Sequence, residues 1–312
     1  MSAPWHIVVM LGGPSAEREV SLRSGAAVAR ALRARGHRVT ELDPVTPGWT
    51  LPADTDVVFL ALHGTYGEDG TVQRELETLG VPYTGCDAAA SRVAFDKVLT
   101  KRRCVAAGVP TPRFLVLREP RPDLPEGWAP PLVLKPVRQG SSVGLALVDR
   151  AEDFAPALRR ALQHDTEALL EERIRGIETT VAVLDGASLP VVEVCPRVGV
   201  YDYGSKYTAG RTEYFCPARL DAATTQRVQA AALDACRAVG VRDYARVDVM
   251  VDAAGRPWVL EVNTLPGMTE LSLFPKAAAA AGLGFAELCE RLVTLALRRA
   301  PARRGEPAEA CP

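Results

Sequence analysis

The chain has 312 residues and a formal net charge of −1, which allows two or three domains with cores of their own and excludes a general polyanion partner such as nucleic acid or an acidic membrane surface. No apolar run approaches the ~20 residues that a membrane helix needs. The seven cysteines are scattered, odd in number and without a C-x-x-C pair, so they read as reduced thiols of a cytoplasmic protein, not as a disulfide framework or a zinc site.

Residues 1–94 alternate strand and helix. The chain enters strand 6–11 without the basic region or cleavage site of a signal peptide. A loop, Gly12-Gly13-Pro14-Ser15-Ala16-Glu17, leads to a helix from about Ser21 to Arg35, with Leu22, Val28, Ala29 and Leu32 at helical spacing and Gly36 as its stop. Strands near 39–42 and 57–62 and a helix over 71–79, stopped by Gly80, complete a small open α/β domain with a parallel sheet. Residues 95–176 read as a small α+β lobe: a helix near 96–107, a Pro-rich surface connection at 118–131, and strands at 132–135, 145–148 and 168–172. A helix at about 152–163, with Asp149 as its expected N-cap, lies between the last two strands. Residues 177–299 hold two strands, a polar tyrosine-bearing loop at 199–214, a helix near 222–239, a hairpin at 246–263 and two helices. Residues 300–312, rich in Ala, Pro, Arg and Glu, read as a disordered tail.

The hairpin carries the sharpest chemistry. Two alternating apolar runs flank a turn expected at Ala254-Gly255. That turn sets Asp248 opposite Glu261 and Arg246 opposite Asn263, all on one face. Like charges directly opposed on a sheet are destabilising, so the arrangement is expected to hold a cation. The all-oxygen donors suit Mg²⁺ or Mn²⁺, and through it a polyphosphate.

Only five of the 37 basic residues are lysines. An ammonium is a compact charge suited to phosphate oxygens. Lys97, Lys135 and Lys206 are candidates for that role, whereas Lys101 and Lys276 read as solvated surface lysines. Lys135 ends a strand just before the glycine-rich loop Gln139-Gly140-Ser141-Ser142-Val143-Gly144, whose backbone N–H groups could cradle phosphates. The run from Glu171 and Glu172 through Ile174 to Glu178 could offer backbone to an adenine edge and a carboxylate to a ribose. The residues alone favour a plain acidic strand end there.

His63 and Glu17 each follow a parallel strand, where α/β sheets place ligands. Either could be structural: His63 as a hydrogen-bonded core residue, Glu17 as a helix-terminus acid stabilised by the dipole. Beyond the hairpin, Asn263-Thr264-Leu265-Pro266-Gly267-Met268 could aim N–H groups at an anion or form a simple turn.

These residues match a family. The chain resembles D-alanine–D-alanine ligases of the ATP-grasp superfamily from about residue 6 to residue 299. The motifs that carry the match are Leu-Gly-Gly-Pro-Ser-Ala-Glu-Arg-Glu-Val-Ser at 11–21, His-Gly-Thr-Tyr-Gly-Glu-Asp-Gly at 63–70, Asp96-Lys97, Lys135-Pro136 and Gly-Ser-Ser-Val-Gly at 140–144. They continue with Tyr-Asp-Tyr-Gly-Ser-Lys-Tyr at 201–207, Arg-Val-Asp-Val-Met at 246–250 and Glu-Val-Asn-Thr-Leu-Pro-Gly-Met-Thr at 261–269. The metal hairpin indicates only the superfamily; the N-terminal loop and the Lys206-Tyr207 loop indicate the ligase.

The resemblance implies an ATP-grasp fold and a reaction. ATP phosphorylates the carboxylate of one D-alanine, the amine of a second attacks the acyl phosphate, and the dipeptide feeds peptidoglycan synthesis. Asp248, Glu261 and Asn263 would hold two Mg²⁺ (or Mn²⁺). Lys97, Lys135 and Ser142 of the glycine-rich loop would bind ATP phosphates, with Lys206 on the γ-phosphate. Glu171 and the backbone of Glu172–Ile174 would take adenine, and Glu178 the ribose. Glu17 would hold the first D-alanine's ammonium and join Ser141 and Tyr207 in a network that locks a loop over the site. Arg246 would stabilise the oxyanion, Ser272 and the backbone at Leu273 would anchor the second carboxylate, and His63 would sit near the acyl group.

The resemblance also implies a homodimer in the cytoplasm. The chain departs from the family pattern at Gln139, where many relatives have glutamate, and at Arg74, where the family tends to a small residue. A D-alanine–D-lactate ligase, or another ATP-grasp carboxylate–amine ligase, is the alternative reading.

Overall fold

The computed structural model describes residues 4–45, 48–141, 143–196 and 212–299. Its first sheet is parallel, in the order β2 (Arg38–Leu42), β1 (His6–Met10), β3 (Val57–Leu60). Every residue of β1 and β3 is buried, which is why β3, and β1 after His6, read as unbroken apolar runs instead of alternating ones. Helix α1 (Arg18–Ala34) lays Val28, Ala29 and Leu32 against this sheet. It starts earlier than the apolar spacing predicts, because the Glu17 carbonyl already accepts from the N–H groups of Val20 and Ser21, each at 3.0 Å. Helix α2 (Thr71–Leu79) ends at Gly80, whose φ of 66° is a conformation that glycine adopts without strain.

The second sheet is antiparallel, in the order β4 (Phe114–Leu117), β7 (Ala168–Glu172), β5 (Leu132–Pro136), β6 (Ala146–Val148). Phe154 and Leu158 of α5 (Phe154–Ala161) fill its inner face. A 3₁₀ turn at Ala151–Asp153 precedes α5, so Asp149 is not its cap. The Asp149 carboxylate instead accepts from Arg173 Nη1 at 2.9 Å. Strand β4 and helix α3 (Ala88–Phe95) were not expected from the sequence. Asp87 caps α3 by accepting from the Ala90 N–H, and Asp96 caps α4 (Lys97–Ala106) in the same manner.

The third sheet runs β11 (Thr212–Phe215), β10 (Val192–Pro196), β8 (Gly176–Leu184), β12 (Tyr244–Asp252), β13 (Pro257–Asn263), with β9 (Ala187–Ser188) beside β8. Helix α6 (Ala222–Val239) packs Val228 and Ala232 on one face against Val181, Val247 and Val259. Helices α7 (Leu273–Ala280) and α8 (Phe285–Arg298) return to the first sheet. Phe274 and Leu292 share a core with Ile7, Phe59 and Leu76. The architecture is the ATP-grasp fold with a Rossmann-like N-terminal sheet.

Candidate active site

Strands β12 and β13 pair Arg246 with Asn263 and Asp248 with Glu261, the register that the residue pattern predicts. The turn that produces it differs from expectation. Asp252 accepts the Gly255 N–H at 2.9 Å and donates its own N–H to the Arg256 carbonyl at 3.1 Å, closing a three-residue loop with Gly255 at φ 71°. A two-residue turn at Ala254-Gly255 is therefore corrected. The longer loop alone would set Leu260 opposite Asp248, because Met250 pairs with Trp258 and Val249 with Val259. A β-bulge between Asp248 and Val249 restores the register. It leaves Leu260 and Glu261 together against one residue of β12, which is how bulges re-aim side chains beside sites.

The chain's own cations meet these carboxylates. Arg246 donates from Nε and Nη2 to the two oxygens of Asp248, each at 2.9 Å, and Thr180 Oγ1 donates to the same carboxylate at 2.7 Å. Lys97 Nζ lies 3.6 Å from Glu261. Asn263 Oδ1 accepts from the Leu265 N–H at 2.9 Å. Among the described residues no three His, Cys, Asp or Glu side chains form a ready metal cage. Two carboxylates and an amide are the partial oxygen set that suits Mg²⁺, which binds through one or two carboxylates while phosphate oxygens and water complete its shell.

One cavity of about 680 Å³ lies between the second and third sheets. Val133, Leu147, Ile174, Met250 and Leu260 give it apolar walls, and Lys97, Lys135, Glu171, Glu178 and Glu261 give it charge. Glu172 is on its lining, but its side chain is half exposed and pairs with Arg113 at 3.5 Å. Glu171 is 2% exposed and held between two ammonium groups, Lys101 at 2.5 Å and Lys135 at 2.6 Å. Burial pushes the Glu171 carboxyl up, but the two lysines outweigh it and hold the group below the ordinary carboxylate value. Burial also works against the charge on Lys135, where Glu171 and Glu261 prevail and keep it above the usual lysine value. Lys101 goes the other way: burial lowers it despite Glu171. The expectation of a solvated Lys101 is thus overturned; the side chain is 1% exposed. Its partner lies seventy positions along the chain, so local sequence carries no sign of the burial.

A second cavity, also of about 680 Å³, is lined by Glu17, His63, Ser141, Arg246, Ser272 and Leu273. Ser141 Oγ donates to Glu17 Oε1, although the two residues sit on different sheets' loops. Gly140 and Gly64 make room for that carboxylate: a Cβ on Gly140 would stand 2.5 Å from Glu17 Oε2, and one on Gly64 3.0 Å. His63 is 5% exposed, with Nε2 3.1 Å from Ser24 Oγ and Nδ1 3.5 Å from Glu68. Glu68 and Ser24 were not singled out as site residues. A carboxylate five positions after His63 in a glycine-rich loop was the available signal. Burial pushes the Glu68 carboxyl up, with His63 pulling the other way and Glu17 adding to the rise. Ser272 occupies the N-cap position of α7, where Thr269 Oγ1 is 2.8 Å from its hydroxyl and the Thr269 N–H donates to it at 3.1 Å.

Lys97, Gln139 and Glu261 line both cavities. Gln139 contributes backbone there: its carbonyl accepts from Lys97 Nζ at 2.7 Å, while its side chain turns away and donates to the His164 carbonyl at 3.0 Å. Ser142, Lys206, Tyr207 and the tail at 300–312 lie outside the described residues.

Two family models match the chain. One, described as the D-ala D-ala ligase C-terminus, matches residues 106–294, and the other, the D-ala D-ala ligase N-terminus, matches residues 46–86. The D-alanine–D-alanine ligase of Methylacidiphilum infernorum (isolate V4) is 46% identical over 296 residues, covering 95% of this chain and 97% of the relative. That of Aquifex aeolicus (strain VF5) is 44% identical over 294 residues, covering 93% and 100%. The crystal structure of the Bacillus anthracis D-alanine–D-alanine ligase complexed with ATP superposes with a TM-score of 0.81 at 33% identity, over 94% of this chain and 98% of that one.

Proposed function

The chain belongs to the D-alanine–D-alanine ligase family, and from that membership we propose how its residues divide the work. The activity is the ATP-dependent ligation of two D-alanines to D-alanyl-D-alanine, and the family's product serves peptidoglycan synthesis. In our reading residues 1–94 bind amino acid, 95–176 form the central lobe over the nucleotide, and 177–299 form the lobe that carries the metal.

The nucleotide enters the cavity between the second and third sheets. Its base lies between the apolar walls, with Glu171 and the backbone of Glu172–Ile174 on the adenine edge and Glu178 on the ribose. Lys97, Lys135 and Ser142 take phosphates, and Lys206 takes the γ-phosphate. Asp248, Glu261 and Asn263 would hold two Mg²⁺ (or Mn²⁺), which when bound would neutralise the β- and γ-phosphates. Arg246, paired with Asp248 and lining the amino-acid cavity, stabilises the oxyanion that develops at the acyl carbon.

The amino-acid cavity supplies the other reactants. Glu17, fixed by Ser141 and joined by Tyr207, grips the ammonium of the first D-alanine. A carboxylate oxygen of that molecule attacks the γ-phosphorus and ADP leaves. Ser272 and the Leu273 backbone hold the second D-alanine by its carboxylate, with His63 beside the acyl group. The free amine attacks the acyl carbon, and phosphate departs with the oxygen that bridged carbon and phosphorus.

One observation carries this reading: Lys97 and Glu261 stand in the wall common to a nucleotide-sized cavity and the Glu17–Ser141 cavity, where a phosphoryl group would cross. The test is phosphate release from Mg-ATP with D-alanine, with L-alanine, and with D-alanine plus D-lactate. Release that depends on D-alanine and yields the dipeptide is expected; release indifferent to D-alanine would overturn the assignment. Asp248→Ala should abolish turnover, and near-normal turnover would remove the metal site.

We also read the chain as a cytoplasmic homodimer. The six described cysteines are free, in keeping with a reducing compartment, and no helix among the described residues is long and apolar enough to cross a membrane. The family supports the dimer. Sedimentation equilibrium that gives the monomer mass at all concentrations would overturn it.

A further inference from the structure

Lys101 lines neither cavity, yet it is among the largest fully buried side chains of the described residues. It stands behind the nucleotide cavity, on the far side of Glu171. Its ammonium is 2.5 Å from Glu171 Oε1, while Lys135, in the wall of the cavity, is 2.6 Å from Oε2. Lys101 is itself fixed from a third element. It donates to Thr111 Oγ1 at 2.6 Å and to the Pro112 carbonyl at 3.3 Å, and Thr111 Oγ1 donates onward to the Val259 carbonyl at 2.8 Å. Val259 also donates its N–H to the Pro110 carbonyl at 2.8 Å. The lysine is thus anchored on β13 immediately before the bulge that carries Leu260 and Glu261.

Within the buried triad one carboxylate is shared by two ammonium groups, so the lysines outnumber the acid by one, while Glu261 and Asp248 act on Lys135 from the cavity side. A buried carboxylate facing Lys135 alone would neutralise it. The excess has one outlet, because Lys101 is enclosed by α4, β7 and the Thr111 turn, whereas Lys135 reaches the cavity. We propose that Lys101 is a positioning residue for the nucleotide site: it occupies one oxygen of Glu171 and so leaves Lys135 with charge to offer the phosphates. The proposal rests on Lys135 as a phosphate ligand.

The experiment compares dissociation constants for ATP and for adenosine, measured calorimetrically on the full chain. The ratio of the two affinities isolates the phosphates, because a general loss of fold or of the adenine wall weakens both ligands alike. Lys101→Met should lower the ATP-to-adenosine affinity ratio by about tenfold, the order expected for one partly screened charge, and Lys101→Arg should restore it to within about twofold. An unchanged ratio in Lys101→Met, or equal losses for ATP and adenosine, would overturn the proposal.

Should Lys101→Met fail to fold, the Glu171→Gln background carries the test. There the lysine has no carboxylate to share, so adding Lys101→Met should change the ratio by less than about twofold; a tenfold drop would show that Lys101 acts directly and sink the idea. Lys135→Met separates this proposal from the reading beneath it. A normal ratio in Lys135→Met removes the phosphate role of Lys135 itself. A collapsed ratio there with an unchanged one in Lys101→Met removes only the role of Lys101.

Discussion

The Glu193 carboxylate accepts from the N–H, Nε and Nη2 of Arg219, at 3.0, 3.0 and 2.6 Å. These bonds hold its pKa down at about 2, against an ordinary glutamate value of 4.5. Because the folded value is the lower one, the unfolded chain binds the extra proton between the two. The stabilisation is therefore complete above pH 4.5 and is lost as pH falls toward about 2. Glu193→Gln should unfold at lower urea than the parent at neutral pH, with the gap narrowing as the solution is taken below pH 4.5; a gap independent of pH would show that the pair does not matter. At Gly140 the argument is steric. A methyl group there meets the Glu17 carboxylate at 2.5 Å, and that carboxylate is tied to Ser141. Gly140→Ala should keep its fold by circular dichroism and lose on the order of tenfold to a hundredfold in kcat/KM for D-alanine. Unaltered kinetics would show that Glu17 moves without consequence. The sequence placed Glu17 after a parallel strand and Asp248 opposite Glu261, and the structure sets all three on cavity walls. Lys101 was not legible in sequence, because its burial depends on a carboxylate brought in by another sheet.

The β12–β13 hairpin shows how an element can be read correctly at one end and wrongly at the other. The alternation of apolar residues put Asp248 and Glu261 on one face, but their pairing was counted from a two-residue turn that does not form, and it holds because the bulge supplies the missing step. The turn type was not recoverable from Ala-Ala-Gly, which suits two-residue and three-residue loops alike, and a bulge has no signature of its own in an apolar run. Two one-residue errors cancelled at the site. Helix α3 was passed over because Ala88–Phe95 has small residues and no amphipathic stripe, although Asp87 offered a cap signal. The bulge also places an apolar side chain next to an acidic one on the cavity side, which a regular strand cannot do. Leu260→Ala should therefore raise the KM for ATP roughly threefold to tenfold, the range for lost apolar contact in a pocket. The KM for D-alanine and the melting temperature should stay nearly unchanged, and a shift in the D-alanine KM instead would place Leu260 in the wrong cavity.

At the scale of the whole molecule, three sheets meet around two cavities, and the C-terminal helices close the core of the N-terminal sheet. Apart from helix α3 and strands β4, β9 and β11, the last of which begins inside the loop expected at 199–214, the order of strands and helices was visible in the sequence; which sheet each element joins was set by contacts between distant segments. The carboxylates of the hairpin are paired by the chain itself, Asp248 with Arg246 and Glu261 with Lys97. Chelation of divalent cations should accordingly abolish turnover while leaving the unfolding transition cooperative and within a few degrees of its original midpoint, about 1 kcal/mol or less for a chain of this size. Loss of the transition on chelation would make the metal structural. Lys97 and Glu261 face both cavities, so on the proposed assignment phosphoryl donor and acceptor are neighbours through a shared wall. The provenance of each product atom follows: the oxygen that leaves with phosphate is the one the first amino acid brought, and solvent contributes none.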